Sequence, residues 1–482
     1  MCSSDLGNSA AAFRHCKIDE NGEISTELQP LYVKDLLSPW MSDDRDADGS
    51  RQVAVACYDS TEAVKKVTMA YGSGKYQSVT ELKKVAPWLY TGKFQSKNSK
   101  GVVTITAEFV SGRKLVKKLY FPLRSWWKAP FKFRRVIAVP GRLLFTAPVI
   151  DGDVAYIGTA DDDEGKNGGI YAYSISGGKL LWSYTNGDGF RGPLALSRGA
   201  VYGCDSKGTR VKLDAKTGKL LEKLESAVPV NMGNCGGVQI MGNYIVSGNQ
   251  NCLSVSDLDG KVIWRTTQDG YNGFGAVDSG VFKDGVLYTV VGWLPVTARR
   301  ISDGTVLWQF RKKEHFSMPT LGFNKDGNLI VLGGRDMTLL DPKTGKVLVD
   351  ASGVNCATTS RPVVVGDRCF FGTTWDGVAA VDASTLKPLW LTKRATGRAL
   401  IGTAAYRLPS FTVESTPVVF GDKLLVAGGD GRLFCLDQET GKTEWFIPHN
   451  TQFLHAPSFN GKYLIQPDYS GRLFVWEHIP QK

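Results

Sequence analysis

The chain has 482 residues, 42% hydrophobic and 22% charged, with 54 glycines and 11% aromatics. That length exceeds one ordinary core and calls for several domains or a repeat array, and the glycine and aromatic content leans towards an all-β chain rich in turns. No run of about 18 apolar residues is present, which excludes a transmembrane helix. The net charge of +11 is local, because residues 61–135 hold 17 Lys and Arg against Glu62, Glu81 and Glu108, and it reads as a solvated basic face.

In chain order, the opening MCSSDLG has neither a charged region nor an apolar run, so it is no signal peptide. It resembles the translation of a sequencing-library adapter read from a GTG start, which places the natural N-terminus elsewhere. Residues 1–50 read as a loop-rich remnant of an upstream domain. The spacing D-x-D-x-D-G at 44–49 hints at a calcium loop, but Val55 stands where an EF-hand needs its bidentate Glu, so the run reads as an acidic surface turn. Residues 51–122 alternate in the manner of strands, with a hairpin turn at Ser111-Gly112, and suffice for a small β-sandwich. A linker follows over 123–133.

From about Pro148 to the C-terminus one unit repeats: a short apolar run, then G-D/N-x-hydrophobic, a DG-type turn, and a strand leading to D-x-x-T-G-K-x-x-W. The closing residues Trp182, Glu222, Trp264, Trp308, Val349, Trp390 and Trp445 are spaced by 40, 42, 44, 41, 41 and 55. A period near 42 with four short strands per unit is the mark of a propeller blade. The indoles are expected to dock each blade on the next, with weaker contacts where Glu222 and Val349 replace them. An eighth unit begins near Pro457 and stops one strand short. The strand-like segment 134–148 ahead of the first unit is expected to supply that strand and close the ring, giving an eight-bladed propeller over 134–482.

The nine cysteines form no C-x-x-C and no adjacent pair, which argues against zinc and dithiol chemistry; they read as small buried hydrophobes. No Walker loop, G-x-S-x-G elbow or HExxH is present. DDDEGKNGG at 161–169 reads as an elongated hairpin loop. An insertion at 392–416 joins a fourth strand to the next first strand and shares a face with the loops between second and third strands. Trp293, His315, Trp375, Arg394, Arg398 and Arg407 are the candidate binding face.

The phrases LFCLDQETGKTEW (433–445), VAAVDASTLKPLW (378–390) and IYAYSISGGKLLW (170–182) resemble the pyrroloquinoline quinone-like repeat. That family implies an eight-bladed β-propeller, and it includes quinone-dependent dehydrogenases, the scaffold of outer-membrane β-barrel assembly, and binding modules. The dehydrogenases carry a vicinal Cys-Cys pair, which this sequence lacks, so no cofactor is expected. Residues 53–121 resemble the immunoglobulin-like domain that follows a calcineurin-like metallophosphoesterase in some secreted bacterial proteins, and FRHCKIDENGEIS (13–25) resembles the last hairpin of such an enzyme. The D-x-H, G-N-H-[DE] and G-H-x-H motifs of that chemistry are absent, so no catalytic or metal residue carries over. The resemblances imply a non-catalytic binding or scaffold module, extracellular or periplasmic and monomeric. Its ligand would be a protein or glycan, with a catalytic domain upstream in cis and no nucleic-acid partner. An outer-membrane assembly scaffold is the first alternative and a quinone-dependent dehydrogenase the second.

Overall fold

The computed structural model describes residues 13–18, 24–29, 35–42, 45–59, 62–86, 88–121, 129–143, 145–160, 167–227, 236–249, 252–267, 280–290, 295–312, 319–392, 412–449, 453 and 455–480. The chain is all-β, built from four-stranded antiparallel sheets. Eight such sheets follow one another among the described residues from Phe131 to His478. Sheets 1 to 7 span 149–185, 195–224, 238–267, 281–310, 320–352, 363–391 and 418–448. Sheet 8 combines Ser458–Phe459, Tyr463–Pro467 and Arg472–His478 with Phe131–Ala138 from ahead of sheet 1. Within sheets 1 to 7 the strands run in sequence order from an inner edge outwards. The second and third strands are almost wholly buried, as in Leu329–Gly333, because a neighbouring sheet covers each face. The fourth strands alternate or are exposed, as in Val347–Ser352.

The donated strand pairs antiparallel with Arg472–His478, Phe131 opposite His478 and Ala138 opposite Arg472. It starts three residues earlier than the sequence suggests and stops before Pro140, which has no N–H to give. The early start reflects alternation: Phe131 and Phe133 both turn inwards, onto Trp445 and Trp476. Sheet 8 lies against sheet 1, with Ser458 Oγ donating to Pro148 O at 2.6 Å and Ile465, Leu473 and Val475 sharing a core with Ala155, Ile157 and Tyr171.

Neighbouring sheets meet through one recurring contact. In the turn between third and fourth strands, the Asp side chain accepts from the turn itself: Asp214 Oδ1 takes Thr217 N at 2.8 Å and Thr217 Oγ1 at 2.7 Å. The Thr217 hydroxyl, before the backbone amides, holds that carboxyl below its usual range. The chain then passes through a glycine at positive φ, and the indole of the preceding sheet lies beneath it. A Cβ on Gly218, Gly304, Gly345 or Gly441 would stand 2.5, 2.8, 2.6 or 2.6 Å from Trp182, Trp264, Trp308 or Trp390. Each Nε1 donates to the carbonyl just after the turn's first residue: Ala215 at 3.0 Å, Ile301 at 2.6 Å, Pro342 at 2.9 Å and Gln438 at 3.2 Å. Only glycine fits a position that combines that close approach with left-handed backbone.

The two expected weak contacts are rebuilt by other chemistry. Beneath Gly260, Glu222 fixes Arg210 at 2.8 Å, and the Arg210 guanidinium donates to Gly260 O at 2.7 Å, standing in for the indole. Above Val349, the glycine is replaced by Leu386, which takes φ 57° and fills the space a smaller residue leaves. Beneath Gly178 the position belongs to Arg135 of the donated strand.

Ahead of the repeat, the expectation of a loop-rich stretch over 13–50 is corrected. Phe13–Ile18 pairs with Ile24–Gln29, and Asp35–Met41 is a strand. Pro39 sits in that strand without penalty because the strand is an edge. It forms one four-stranded sheet with Arg51–Asp59, Lys83–Ala86 and Leu89–Phe94, while Val64–Tyr71, Ser78–Glu81, Gly101–Phe109 and Lys114–Phe121 form a second. The two sheets share a core of Leu37, Val55, Val67, Ile105, Phe109 and Phe121 among others. In the acidic turn, Asp48 accepts from Ser50 N at 3.0 Å and from Lys93 Nζ at 2.7 Å.

This two-sheet unit sits on sheet 8. Trp40 packs on Phe133 and Phe474 at 4.7 and 4.9 Å between ring centroids. Arg472, fully buried, pairs with Asp468 at 2.7 Å and donates to Ser38 O and Ala54 O at 3.1 Å each. Trp88 Nε1 donates to Ser470 O at 2.7 Å.

Candidate binding face

The turns between second and third strands are bonded to the connections that carry the chain from one sheet to the next, so both loop classes share a face. Thr374 N donates to Asn355 O at 2.9 Å, Val413 N to Thr373 O at 3.0 Å, and His449 N to Gly431 O at 2.7 Å. Of the six residues singled out from sequence, Trp375 lies in the sheet 6 turn, 39% exposed. Trp293, His315, Arg394, Arg398 and Arg407 fall outside the described residues.

Side chains that the sequence reading did not single out build this face. Glu414 Oε2 accepts from Thr359 N at 2.8 Å and Thr359 Oγ1 at 3.1 Å, tying two connections together. Ser360 Oγ accepts Gly372 N at 2.7 Å, and Ser415 Oγ donates to Ala427 O at 2.7 Å. Each hydroxyl precedes a proline by two residues, at Pro362 and Pro417, and pins the start of an inner strand whose proline cannot donate. Asn186 Nδ2 donates to Asp205 Oδ2 at 3.0 Å, beside Asp188 and its partner Lys207 at 2.9 Å. Burial pushes the Asp205 carboxyl up, against the pull of the Thr209 amide. Burial also lifts Asp430 to about 6, although Arg432 contacts it directly. The pairs Asp430/Arg432 and Asp468/Arg472 were signalled by the recurrent phrase G-R-L-F in GGDGRLF and PDYSGRLF. The links of Glu414 and Asp205 had no such signal.

Two histidines close the set. His449 is fully buried, stacked on Phe474 at 4.0 Å, and burial, then the neighbouring Arg472 charge, holds it well below its usual range. His455 is also buried, which lowers it to about 3. Both are neutral at ordinary pH.

The arrangement offers hydrogen bonds and shape. Among the described residues no three His, Cys, Asp or Glu side chains converge to hold a metal. The buried thiols are poor nucleophiles, because burial pushes Cys356 and Cys435 up to about 12. The sequence has no vicinal cysteine pair, and no redox step is assigned to the chain.

Consecutive four-stranded sheets, wedged by indoles under glycine turns, define a β-propeller of the class shared by quinoproteins and BamB. The family model described as outer membrane protein assembly factor BamB matches residues 124–291, 292–410 and 407–475, and the chain belongs to that family. Among solved structures, BamB from Moraxella catarrhalis is 16% identical with a TM-score of 0.55, over 72% of this chain and 99% of that one. The computationally designed Ika8 protein is 18% identical with a TM-score of 0.53, over 70% and 98%. Quinohemoprotein alcohol dehydrogenase from Comamonas testosteroni is 13% identical with a TM-score of 0.56, over 73% and 77%. At these identities the likeness concerns the fold. No curated protein matches the chain in sequence. No helix among the described residues is long and apolar enough to cross a membrane.

Proposed function

We propose that the chain is a non-catalytic, eight-bladed propeller that binds protein partners as a scaffold on the non-cytoplasmic side of a bacterial membrane. The observation that carries this reading is the loop face itself. Its carboxylates and hydroxyls, in Glu414, Thr359, Ser360, Ser415, Asp430 and Asp468, are engaged in holding the loops, which suits a rigid recognition surface better than a reacting centre. The family description points to outer-membrane assembly as the setting. Purified chain is expected to bind the barrel-assembly protein of its own organism. It is expected to show no phosphoester hydrolysis and no alcohol oxidation with added quinone and calcium. Turnover of either kind that survives purification to homogeneity overturns the reading.

A second reading rests on the two-sheet unit over 35–121. It is the immunoglobulin-like module of a secreted metallophosphoesterase-like protein, with the propeller as its C-terminal part. The hairpin Phe13–Ile18 with Ile24–Gln29 suits the end of a preceding domain. Genomic sequence upstream of Gly7 decides it: metal-ligand motifs there support this reading, and a signal peptide directly joined to residue 7 removes it.

A further inference from the structure

Part of the basic excess of residues 61–135 is gathered on one surface. Of the two sheets ahead of the propeller, the one holding Asp35–Met41 and Arg51–Asp59 meets sheet 8 through Trp40, Ser38 and Ala54. Its opposite face gives Leu37, Val53 and Val55 to the core shared with the other sheet. That second sheet has the strand order Lys114–Phe121, Gly101–Phe109, Val64–Tyr71, Ser78–Glu81, and turns Val67, Val103, Ile105 and Leu119 into the same core. Its outer face is therefore the side of the two-sheet unit remote from the propeller.

Strand register sets out that face in cross-strand rows. Lys114 lies opposite Glu108, Val116 opposite Thr106, Lys118 opposite Thr104, and Tyr120 opposite Val102. Ala70 continues the Lys118 row and brings in Val79. An antiparallel sheet facing water normally shows polar side chains, yet Val79, Val102, Val116 and Tyr120 are between 38 and 62% exposed. Two loops extend the face at its Tyr120 end. One follows Tyr71 directly, and the other is tied to it by Asn98 Nδ2, which donates to the Tyr71 hydroxyl at 2.6 Å. They carry Lys97, Lys100 and Lys75, the last 5.2 Å from the ring centre of Tyr76, itself 80% exposed.

The charge of the face is one-sided. Its strands hold two carboxylates, Glu81 and Glu108. Glu108 is taken by Lys65 at 2.8 Å, and Glu81 stands at the free edge, in the row of Thr68 and Thr106. Among the described residues no ion pair engages Lys75, Lys97, Lys100, Lys114 or Lys118. Lysines are compact point charges on apolar stems and suit a diffuse negative surface, whereas single sulfates or carboxylates are better read by the arginine fork. Arg113, the one arginine nearby, is already held by Glu62 at 2.6 Å and by Asp59. Exposed valines and tyrosines set among the lysines add an apolar gain that a sugar polyanion does not offer and a headgroup boundary does.

We propose that this outer sheet face docks on a membrane surface rich in anionic phospholipid. Lys75, Lys97, Lys100 and Lys118 meet the headgroup phosphates, Tyr120 and the valines seat at the headgroup boundary, and the propeller is held on the side away from the bilayer. The proposal stands independently of the scaffold reading, since the face belongs to the two-sheet unit and not to the propeller loops.

The test is cosedimentation of the purified full chain with vesicles of phosphatidylcholine alone, or of phosphatidylcholine and phosphatidylglycerol in equal parts. Binding to the anionic vesicles should be at least tenfold tighter, and should fade as salt is raised from about 0.1 to 1 M and the Debye length shrinks from about 10 to 3 Å. Lys100→Gln with Lys118→Gln should weaken it about 25-fold, about fivefold per charge. Val116→Ser with Tyr120→Ser should weaken it about tenfold without changing its salt dependence. Lys343→Gln with Lys387→Gln, on propeller turns, should leave it unchanged. All six positions are exposed, so none of these replacements disturbs a core. Equal affinity for the two vesicle types, or no binding at millimolar lipid, overturns the proposal. So does a loss in the Lys343/Lys387 variant as large as that in the Lys100/Lys118 variant. Binding to dextran sulfate that needs Lys100 and Lys118, with none to vesicles, also overturns it and assigns the face to a polyanionic glycan.

Discussion

Val349 and Leu386 offer the sharpest test of the wedge. Above Trp182, Trp264, Trp308 and Trp390 lies a glycine; here the smaller Val349 faces the larger Leu386. Leu386 is fully buried at φ 57°, and its N–H donates to Asp382 O at 2.8 Å, as Gly218 N donates to Asp214 O. Leu386→Gly alone relieves left-handed strain of about 1–2 kcal/mol but empties a buried leucine site, which costs about 2–5 kcal/mol. Net destabilisation should be about 1–3 kcal/mol. Val349→Trp alone drives an indole into Leu386 and should cost about 1–3 kcal/mol through overpacking. The double variant recreates the pair found at Trp308 and Gly345, and should lie within about 1 kcal/mol of the parent. The singles together cost about 2–6 kcal/mol against about 1 or less for the double, so a coupling energy of at least about 1 kcal/mol follows. Urea unfolding followed by far-UV circular dichroism measures the cycle, with hydrogen exchange of the 382–387 turn as a local readout. Additivity within about 0.5 kcal/mol would refute the claim that the two positions solve one packing problem.

Four further outcomes are expected. Gly218→Val should destabilise by at least about 2 kcal/mol, since it adds left-handed strain to a clash with Trp182; a melting curve checks it. Arg472→Met should cost about 3–5 kcal/mol by leaving Asp468 buried and unpaired, and limited proteolysis should then release the two-sheet unit from sheet 8. For pH, His455 is held at about 3 against an ordinary 6.5, so below pH 6.5 the unfolded chain takes up a proton that the folded chain refuses. Stability should therefore fall as pH drops from 6.5 towards 3, by about 1.4 kcal/mol per pH unit, and His455→Leu should flatten that slope in urea titrations. Asp430, lifted from 3.8 to about 6, acts in the opposite sense between those values, because there the folded chain holds the extra proton; Asp430→Asn should steepen the acid loss.

The repeat was legible because its chemistry is local. An Asp that folds back on its own turn, a glycine at positive φ and an indole closing the unit, as in Asp437, Gly441 and Trp445, each recur in most of the four-strand units. The donated strand was legible from a missing fourth strand, and its boundary slipped because Phe131 and Phe133 earn their place only against Trp445 and Trp476, which are remote in sequence. The rebuilt contacts were not legible. Arg210 sits on a third strand and Glu222 on a fourth, and nothing in their spacing says that together they replace an indole. Leu386 stands in ASTLK where the pattern wants glycine, and sequence alone shows a broken turn rather than a partner for Val349. Strand Asp35–Met41 was hidden by Pro39, which marks an edge only once the sheet order is known. The loop face was the least legible part, because the links of Glu414 to Thr359 and of Asn186 to Asp205 join residues that no period relates.

The seam explains where the extra unit sits. Seven sheets are covalently continuous, so each is held by its own turns; sheet 8 is not, and its fourth strand is joined to the third by hydrogen bonds alone. The compensation lies on the same sheet: Trp40 closes over Phe133 and Phe474, one from each side of the junction, while Arg472 reaches from the third strand to Ser38 and Ala54. A load that would peel Phe131–Ala138 away must therefore also strip Phe133 from Trp40, while Arg472 keeps the two-sheet unit fixed to the third strand. The two-sheet unit thus acts on the one place where chain continuity does not, and Trp40→Ala is expected to loosen the strand Phe131–Ala138 in hydrogen exchange before any other fourth strand responds.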